Sequence, residues 1–274
     1  MPEGDTIHRS AAVLRTMLVG KPIVAFEAER LVGPQPTVGA TVESVEAHGK
    51  HLEITFDDGI VLHTHMRMTG AWHLYRDGER WRRNPSAARA VLDIPGWTAV
   101  CFSAPVVETF RVMDRRRHPG LGSLGPDLCL ADADLDECVD RMARFGEHHQ
   151  DVAEVLLDQR IACGVGNVYK SEVLWACALD PFTPLAQVPV RVRRDLIATA
   201  SRMLRANLDN SGRTTVTGPP GSLAVYGQHL KPCRRCATPI EWRKHGVLAR
   251  ITFWCPGCQR VPAIDVTDHR ARLS

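Results

Sequence analysis

Four cysteines near the C-terminal end have the spacing of a metal site: Cys233-x2-Cys236 and Cys255-x2-Cys258, separated by 18 residues. Two such knuckles can bring four thiolates to the corners of a tetrahedron. That is the closed donor set of a structural zinc ion, with no position left open for substrate. Disulfide pairing is the competing reading of the same four residues. At the other end, Met1-Pro2 is a good substrate for removal of the initiator methionine, which would expose the secondary amine of Pro2. Such an amine can attack an aldehydic sugar carbon and form an iminium directly, as Schiff-base lysines do. Its unperturbed pKa is about 8. A place just ahead of a helix puts it near a positive dipole end that disfavours protonation. Glu3 is adjacent and could donate a proton; the competing reading is that Pro2-Glu3 is an ordinary terminus.

The elements that must position these groups follow from patterning. Asp5 or Thr6 can cap a helix that carries Ile7, Ala11, Leu14 and Leu18 at helical spacing and ends at Gly20. From Ile23 to about Val112 short apolar runs alternate with turn residues, as in HLEITFDDGIVLHTHM, where Asp58-Gly59 reads as a hairpin turn, and in WTAVCF. Several such strands imply a β-sandwich or barrel. The Arg-, Gly- and Pro-rich stretch from Asp114 to Asp127 marks a boundary. Beyond it VAEVLLDQ, NVYKSEVLWAC and RRDLIATASRMLRANL are helical in period, with the tight turn IACGVGN between the first two. The 18 residues between the cysteine pairs alternate as a hairpin should, with His245-Gly246 near its tip and Arg250 on the second strand. The chain is therefore α+β and multidomain, with boundaries at 1–128, 129–228 and 229–274.

No apolar stretch approaches the roughly 18 residues of a membrane span, and MPEGDTIHR lacks the basic start and apolar core of a signal peptide. A cytoplasmic protein is expected, in which Cys101, Cys129, Cys138, Cys163 and Cys177 are small buried apolar residues. The formal net charge of +3 conceals an asymmetry: Lys231 to Arg260 carries about +6 and the remainder about −3. A polarised basic tail suits nucleic acid, and a solvated basic end equally. Arg250 could enter a groove or be an ordinary strand residue, and Lys50 could be a ligand or a solvated charge.

PEG at the N-terminus, Gly49-Lys50, GVGNVYKSE from Gly164 to Glu172, and VYGQHLKPCRRC with ARITFWCPGCQ occur together, and in this order. In these motifs the chain resembles the formamidopyrimidine-DNA glycosylase/endonuclease VIII family over nearly its whole length. The resemblance implies an N-terminal β-sandwich with flanking helices, a helical helix–two-turn–helix domain and a C-terminal zinc-ribbon β-hairpin. It also implies one structural Zn2+ held by Cys233, Cys236, Cys255 and Cys258. Pro2 would attack C1′ of a damaged nucleotide and Glu3 would protonate the opening sugar ring. Lys50 would contact phosphate and assist. Asn167 and Arg250 would bind phosphates beside the lesion, and Met68, in HMRMTG, would fill the gap left by the extruded base. For Met68 a core position at a strand end is an equal alternative. Arg115 to Arg117 match a second gap-filling loop only loosely, lacking its Arg-Arg-Phe ending, and are assigned DNA contact alone.

Two departures qualify the match. The acid that usually follows Glu3 is displaced to Asp5, and the span from Ser211 to Tyr226 leaves little room for a loop that covers an oxidised purine. The expected activity is therefore that of a bifunctional glycosylase and AP lyase for oxidised pyrimidines. An 8-oxoguanine/formamidopyrimidine glycosylase and a non-catalytic zinc-ribbon damage-binding protein are the alternatives. The expected partner is damaged double-stranded DNA, with single-stranded or bubble DNA as further candidates. No membrane is involved, and a monomer would suit an enzyme that wraps one duplex.

Overall fold

A computed structural model describes residues 2–146, 151–247 and 249–262. The chain divides into two compact units between Leu124 and Gly125.

The first unit opens with α1 (Gly4–Leu18), followed by β1 (Ala25–Glu27), β2 (Val42–His48), β3 (His51–Phe56), β4 (Ile60–His65), β5 (Ala71–Arg76), β6 (Ala88–Ile94), β7 (Trp97–Phe102) and β8 (Val106–Arg111). The strands form two antiparallel four-stranded sheets, ordered β1-β6-β7-β5 and β2-β3-β4-β8. Alternate residues of both sheets meet in one core: Val45, Leu52, Ile54 and Leu62 from one, Leu92, Ala99 and Cys101 from the other. Ile7, Ala11, Leu14 and Leu18 add the apolar stripe of α1 to that core. Each large side chain buried there contributes about 1.5–3 kcal/mol. The helix starts at Gly4, with Glu3 as extended N-cap (φ −127°, ψ −174°), rather than after Asp5 or Thr6. The Asp5 carboxylate instead accepts the Thr6 N–H from inside the first turn.

The expected hairpin at Asp58-Gly59 joins β3 to β4, with Gly59 at φ +78°. Every residue of β3 except Thr55 is buried, because the outer face of its sheet is covered too. Val61, Phe110 and Leu121 pack together there, beneath the segment that follows β8.

The second unit contains α2 (Leu135–Phe145), α3 (Val152–Val155), α4 (Asn167–Ala176), α5 (Val190–Arg205) and the antiparallel hairpin β9 (Glu241–His245) and β10 (Arg250–Trp254). Leu128, Met142, Val155, Tyr169, Val173, Leu196 and Leu204 share its core. Only one turn of VAEVLLDQ is helical. The chain then bends, and the Gln159 carboxamide spans the bend by donating to the Leu157 and Val165 carbonyls and accepting the Gly164 N–H. Gly164 lies at φ +106°, a conformation that disfavours any side chain. Among the described residues, no helix is long and apolar enough to cross a membrane.

Candidate active site and metal cluster

Pro2, half-buried, leads into Glu3, which is buried and whose carbonyl accepts the N–H groups of Thr6 and Ile7. Met1 lies outside the described residues. The helix that follows packs against β2 and β3, the two strands whose turn carries Lys50. Lys50 is the second residue of that turn, one position before β3 begins. Gly49 takes φ +58°, so two residues suffice to reverse the chain and β3 starts at His51.

Around this turn, β3 and β4 turn a row of polar side chains to the outer face. His51 and Glu53 alternate along β3, His63 and His65 along β4, and Glu108 comes from β8. The Glu108 carboxylate accepts from His63 Nδ1 at 2.8 Å and from His118 Nε2 at 3.1 Å. His118 Nδ1 accepts the Gly120 N–H at 3.1 Å, which sets that tautomer. With its Nδ1–H given to Glu108, His63 is left to accept at Nε2, where His51 Nδ1 lies 2.8 Å away as donor. Burial, then neighbouring His65, push the His51 imidazole down to about 2. Burial, then the Lys50 cation, lower His65 to about 4. At His63, burial outweighs the Glu108 hydrogen bond and the pKa is again lowered. These rings are therefore neutral at physiological pH. Beside them Arg115 forms a bidentate pair with buried Glu53 at 2.7 and 2.8 Å, so of the basic run only Arg116 and Arg117 stand fully exposed.

Met68 lies in the loop between β4 and β5 and is 58% exposed, whereas Met66 supplies the core residue at the strand end. The loop is tight. A Cβ at Gly70 would lie 2.7 Å from the Met66 backbone, and Arg67 takes φ +44°. It is braced by Arg83 Nη1 donating to the Thr69 carbonyl at 3.2 Å and by the Thr69 hydroxyl donating to the Ser103 carbonyl at 3.3 Å.

In the second unit Asn167 is the first residue of α4, preceded by Gly166, which offers no side-chain cap. The Asn167 carboxamide points inward: Nδ2 donates to the Ile251 carbonyl at 2.7 Å, and Oδ1 accepts from Lys170 Nζ at 2.7 Å. This joins Asn167 to the residue directly after Arg250, whose own side chain is exposed at the start of β10. One turn on, fully buried Glu172 accepts the N–H groups of Ala224, Val225 and Tyr226 at 2.7, 2.9 and 2.8 Å, and the Thr215 hydroxyl. At the hairpin tip His245 pairs with Asp151, and Glu154 accepts the Val247 N–H at 2.9 Å.

The four C-terminal cysteines converge, all sulfurs lying within 4.8 Å of one another, and could hold a metal ion. Cys233 and Cys258 are 3.7 Å apart and Cys236 and Cys255 are 3.4 Å apart. At Cys233 burial opposes ionisation, but the Trp175 indole and the Arg235 and Cys236 amides overcome it and lower the thiol to about 6. Thr238 lowers Cys236, while burial raises Cys255 to about 12. A divalent cation among the sulfurs is what would ionise the whole set. Of the other cysteines, Cys101, Cys129, Cys138 and Cys163 are buried and Cys177 is half-buried.

Pattern reading missed His51, His63, Glu108, Lys170 and Glu172. The usable signals were the two-residue spacing of His63 and His65 on one strand face and the placement of Lys170 one turn after Asn167.

Sequence comparison places both units. The family model described as the formamidopyrimidine-DNA glycosylase N-terminal domain matches residues 1–118, and that described as the H2TH domain of the same glycosylase matches residues 124–218. The chain belongs to the formamidopyrimidine-DNA glycosylase family. It is 36% identical to a probable endonuclease 8 2 of Streptomyces coelicolor, covering 96% of this chain and 95% of the relative. It is 35% identical to the DNA-(apurinic or apyrimidinic site) lyase Nei2 of Mycolicibacterium smegmatis, with 94% and 99% covered. Its fold is that of a Lactococcus lactis formamidopyrimidine-DNA glycosylase crystallised non-covalently bound to AP-site DNA (TM-score 0.79, 20% identity, 94% and 100% covered).

Proposed function

We propose that this protein is a bifunctional DNA glycosylase and AP lyase of base excision repair, acting on damaged double-stranded DNA as a cytoplasmic monomer. The observation that carries this reading is the N-terminal Pro2-Glu3 pair immediately ahead of a helix packed against the two strands whose turn presents Lys50, in a chain of this family. Once Met1 is removed, the Pro2 nitrogen attacks C1′ and the damaged base departs. Glu3 protonates the ring oxygen as the sugar opens, giving an iminium between Pro2 and C1′. The iminium acidifies the C2′ proton. Its loss expels the 3′ phosphate (β-elimination), and a further proton loss expels the 5′ phosphate (δ-elimination). Lys50, Asn167 and Arg250 hold the backbone phosphates, and Met68 occupies the space of the extruded base. Its exposure on a braced loop supports that role.

Residues 1–128 form the catalytic sandwich, 129–228 the helix–two-turn–helix domain and 229–274 the metal hairpin. The metal is one structural Zn2+. Four thiolates about 2.3 Å from zinc lie about 3.8 Å apart, close to the 3.4 and 3.7 Å separations here. Oxidised pyrimidines are the preferred substrates, a reading supported by the short, internally bonded segment in which Glu172 and Asn207 hold residues 214–226.

Borohydride trapping on an abasic-site duplex, followed by mass mapping, tests the chemistry. A covalent adduct at Pro2, with Met1 absent, is expected. No adduct from folded, Met1-processed, zinc-loaded protein would leave a DNA-binding module without lyase activity. Parallel excision of thymine glycol and 8-oxoguanine distinguishes pyrimidine from purine preference.

A further inference from the structure

Lys170 is 1% exposed, a burial that a lysine tolerates only when its donors are met. Its Nζ donates to Asn167 Oδ1 at 2.7 Å, Thr252 Oγ1 at 2.8 Å and the Ile251 carbonyl at 3.2 Å. An ammonium has three donors and no acceptor, so three acceptors occupy it fully. The Ile251 carbonyl also accepts Asn167 Nδ2. A closed polar triangle thus joins the first residue of α4 to the two residues that follow Arg250.

The triangle has a directional consequence. A carboxamide can rotate by half a turn at little steric cost, because its oxygen and nitrogen are alike in size, and only its partners distinguish the two states. Here a pure donor, Lys170, faces Oδ1 and a pure acceptor, the Ile251 carbonyl, faces Nδ2, so one state is selected. By the two-residue period of a strand, Arg250 lies on the same face of β10 as Thr252, which Lys170 also grips.

We propose that Lys170 is a positioning residue for DNA binding. From beneath, it orients Asn167 and sets the start of β10, so that Asn167 and Arg250 meet one phosphodiester backbone in a fixed geometry. Lys170 itself touches no DNA. The proposal rests on the reading of Asn167 and Arg250 as phosphate-binding residues. Preorganisation of this kind acts on affinity by removing alternatives that binding would otherwise have to freeze out.

The test uses full-length, zinc-loaded protein and a duplex carrying tetrahydrofuran, an abasic analogue that cannot be cleaved. Dissociation constants are measured for wild type, K170M, T252V, R250A and K170M/R250A, together with zinc content and the single-turnover borohydride-trapping rate on an abasic duplex at saturating protein. K170M is expected to weaken binding roughly tenfold, and T252V, which removes one acceptor and keeps the shape, about threefold. Trapping at saturation should change less than affinity. In the R250A background K170M should cost little more, because the geometry it supports has lost its main user. A purely structural lysine would lower stability or zinc content without this non-additivity. If K170M does not fold, T252V alone decides. Wild-type affinity in T252V and K170M, or a K170M loss that adds in full to R250A, overturns the proposal. Wild-type affinity in R250A is a separate outcome: it removes the phosphate-binding reading and the proposal with it.

Discussion

On the outer face of β3, β4 and β8, the buried His51 and His63 form a hydrogen-bonded group that ends on the Glu108 carboxylate, and burial lowers the pKa of both rings. In α4 of the second unit, Lys170 and Glu172 are buried two residues apart, and each is met by three or four fixed partners. The first arrangement avoids the cost of a buried charge by giving the charge up. The second offsets that cost with oriented donors and acceptors. Neighbouring titratable groups should therefore make the first unit sensitive to protons, and loss of any partner should make the second unit sensitive to mutation.

The cysteine cluster gives the largest expected effect, since a metal ion held there would neutralise four thiolates at once. If the cluster holds the proposed zinc, Cys233→Ser or prolonged chelation should release it and remove several kcal/mol from the second unit. Apparent binding energies of structural zinc run to about 10 kcal/mol or more. Thermal unfolding with parallel metal analysis would check this, and an unchanged melt after complete metal loss would refute it. Next is Glu172→Ala, which removes the acceptor of three backbone N–H groups, two of them buried, and should cost about 3–5 kcal/mol by denaturant titration. A cost under about 1 kcal/mol would mean that water replaces the carboxylate and that the contrast between the units is overdrawn.

Acid should act on the other side of the comparison. Because His51 and His65 titrate lower in the folded protein than in the unfolded chain, the unfolded chain gains protons first once pH falls below about 6.5. Their contribution is intact above that value and is lost progressively as pH falls towards the folded values of about 4 for His65 and about 2 for His51. At pH 5 this amounts to about 2 kcal/mol for a histidine as deeply buried as His51. Denaturation between pH 7 and 5 should show the loss, and His51→Phe should flatten the slope. Smallest is Asp134→Ala, which deletes the side-chain acceptor for Glu137 N–H at the start of α2 and should cost about 1 kcal/mol, a benchmark for an ordinary cap.

Much of this protein was legible from local pattern. Ile7, Ala11, Leu14 and Leu18 declared α1, Asp58-Gly59 declared its hairpin, and the cysteine spacing declared the four-sulfur cluster. Each depends on residues within one element or on a short-range conformational rule. Where the reading faltered, a longer-range partner was responsible. VAEVLLDQ has helical period, yet Gln159 reaches forward to Gly164 and Val165 and ends the helix after one turn. Arg115 reads as one of three equal arginines in a basic run, but the structure pairs it with Glu53 of β3.

The sequence by itself determined the identity of the chemical groups and the elements that carry them, because periodicity, turn chemistry and ligand spacing are properties of neighbouring residues. Tertiary structure alone decided which of two nearby methionines is buried, which histidines share a carboxylate, and that a helical lysine lies in the interior holding Asn167 to the strand of Arg250. Those outcomes depend on desolvation and hydrogen bonding between residues brought together only by folding.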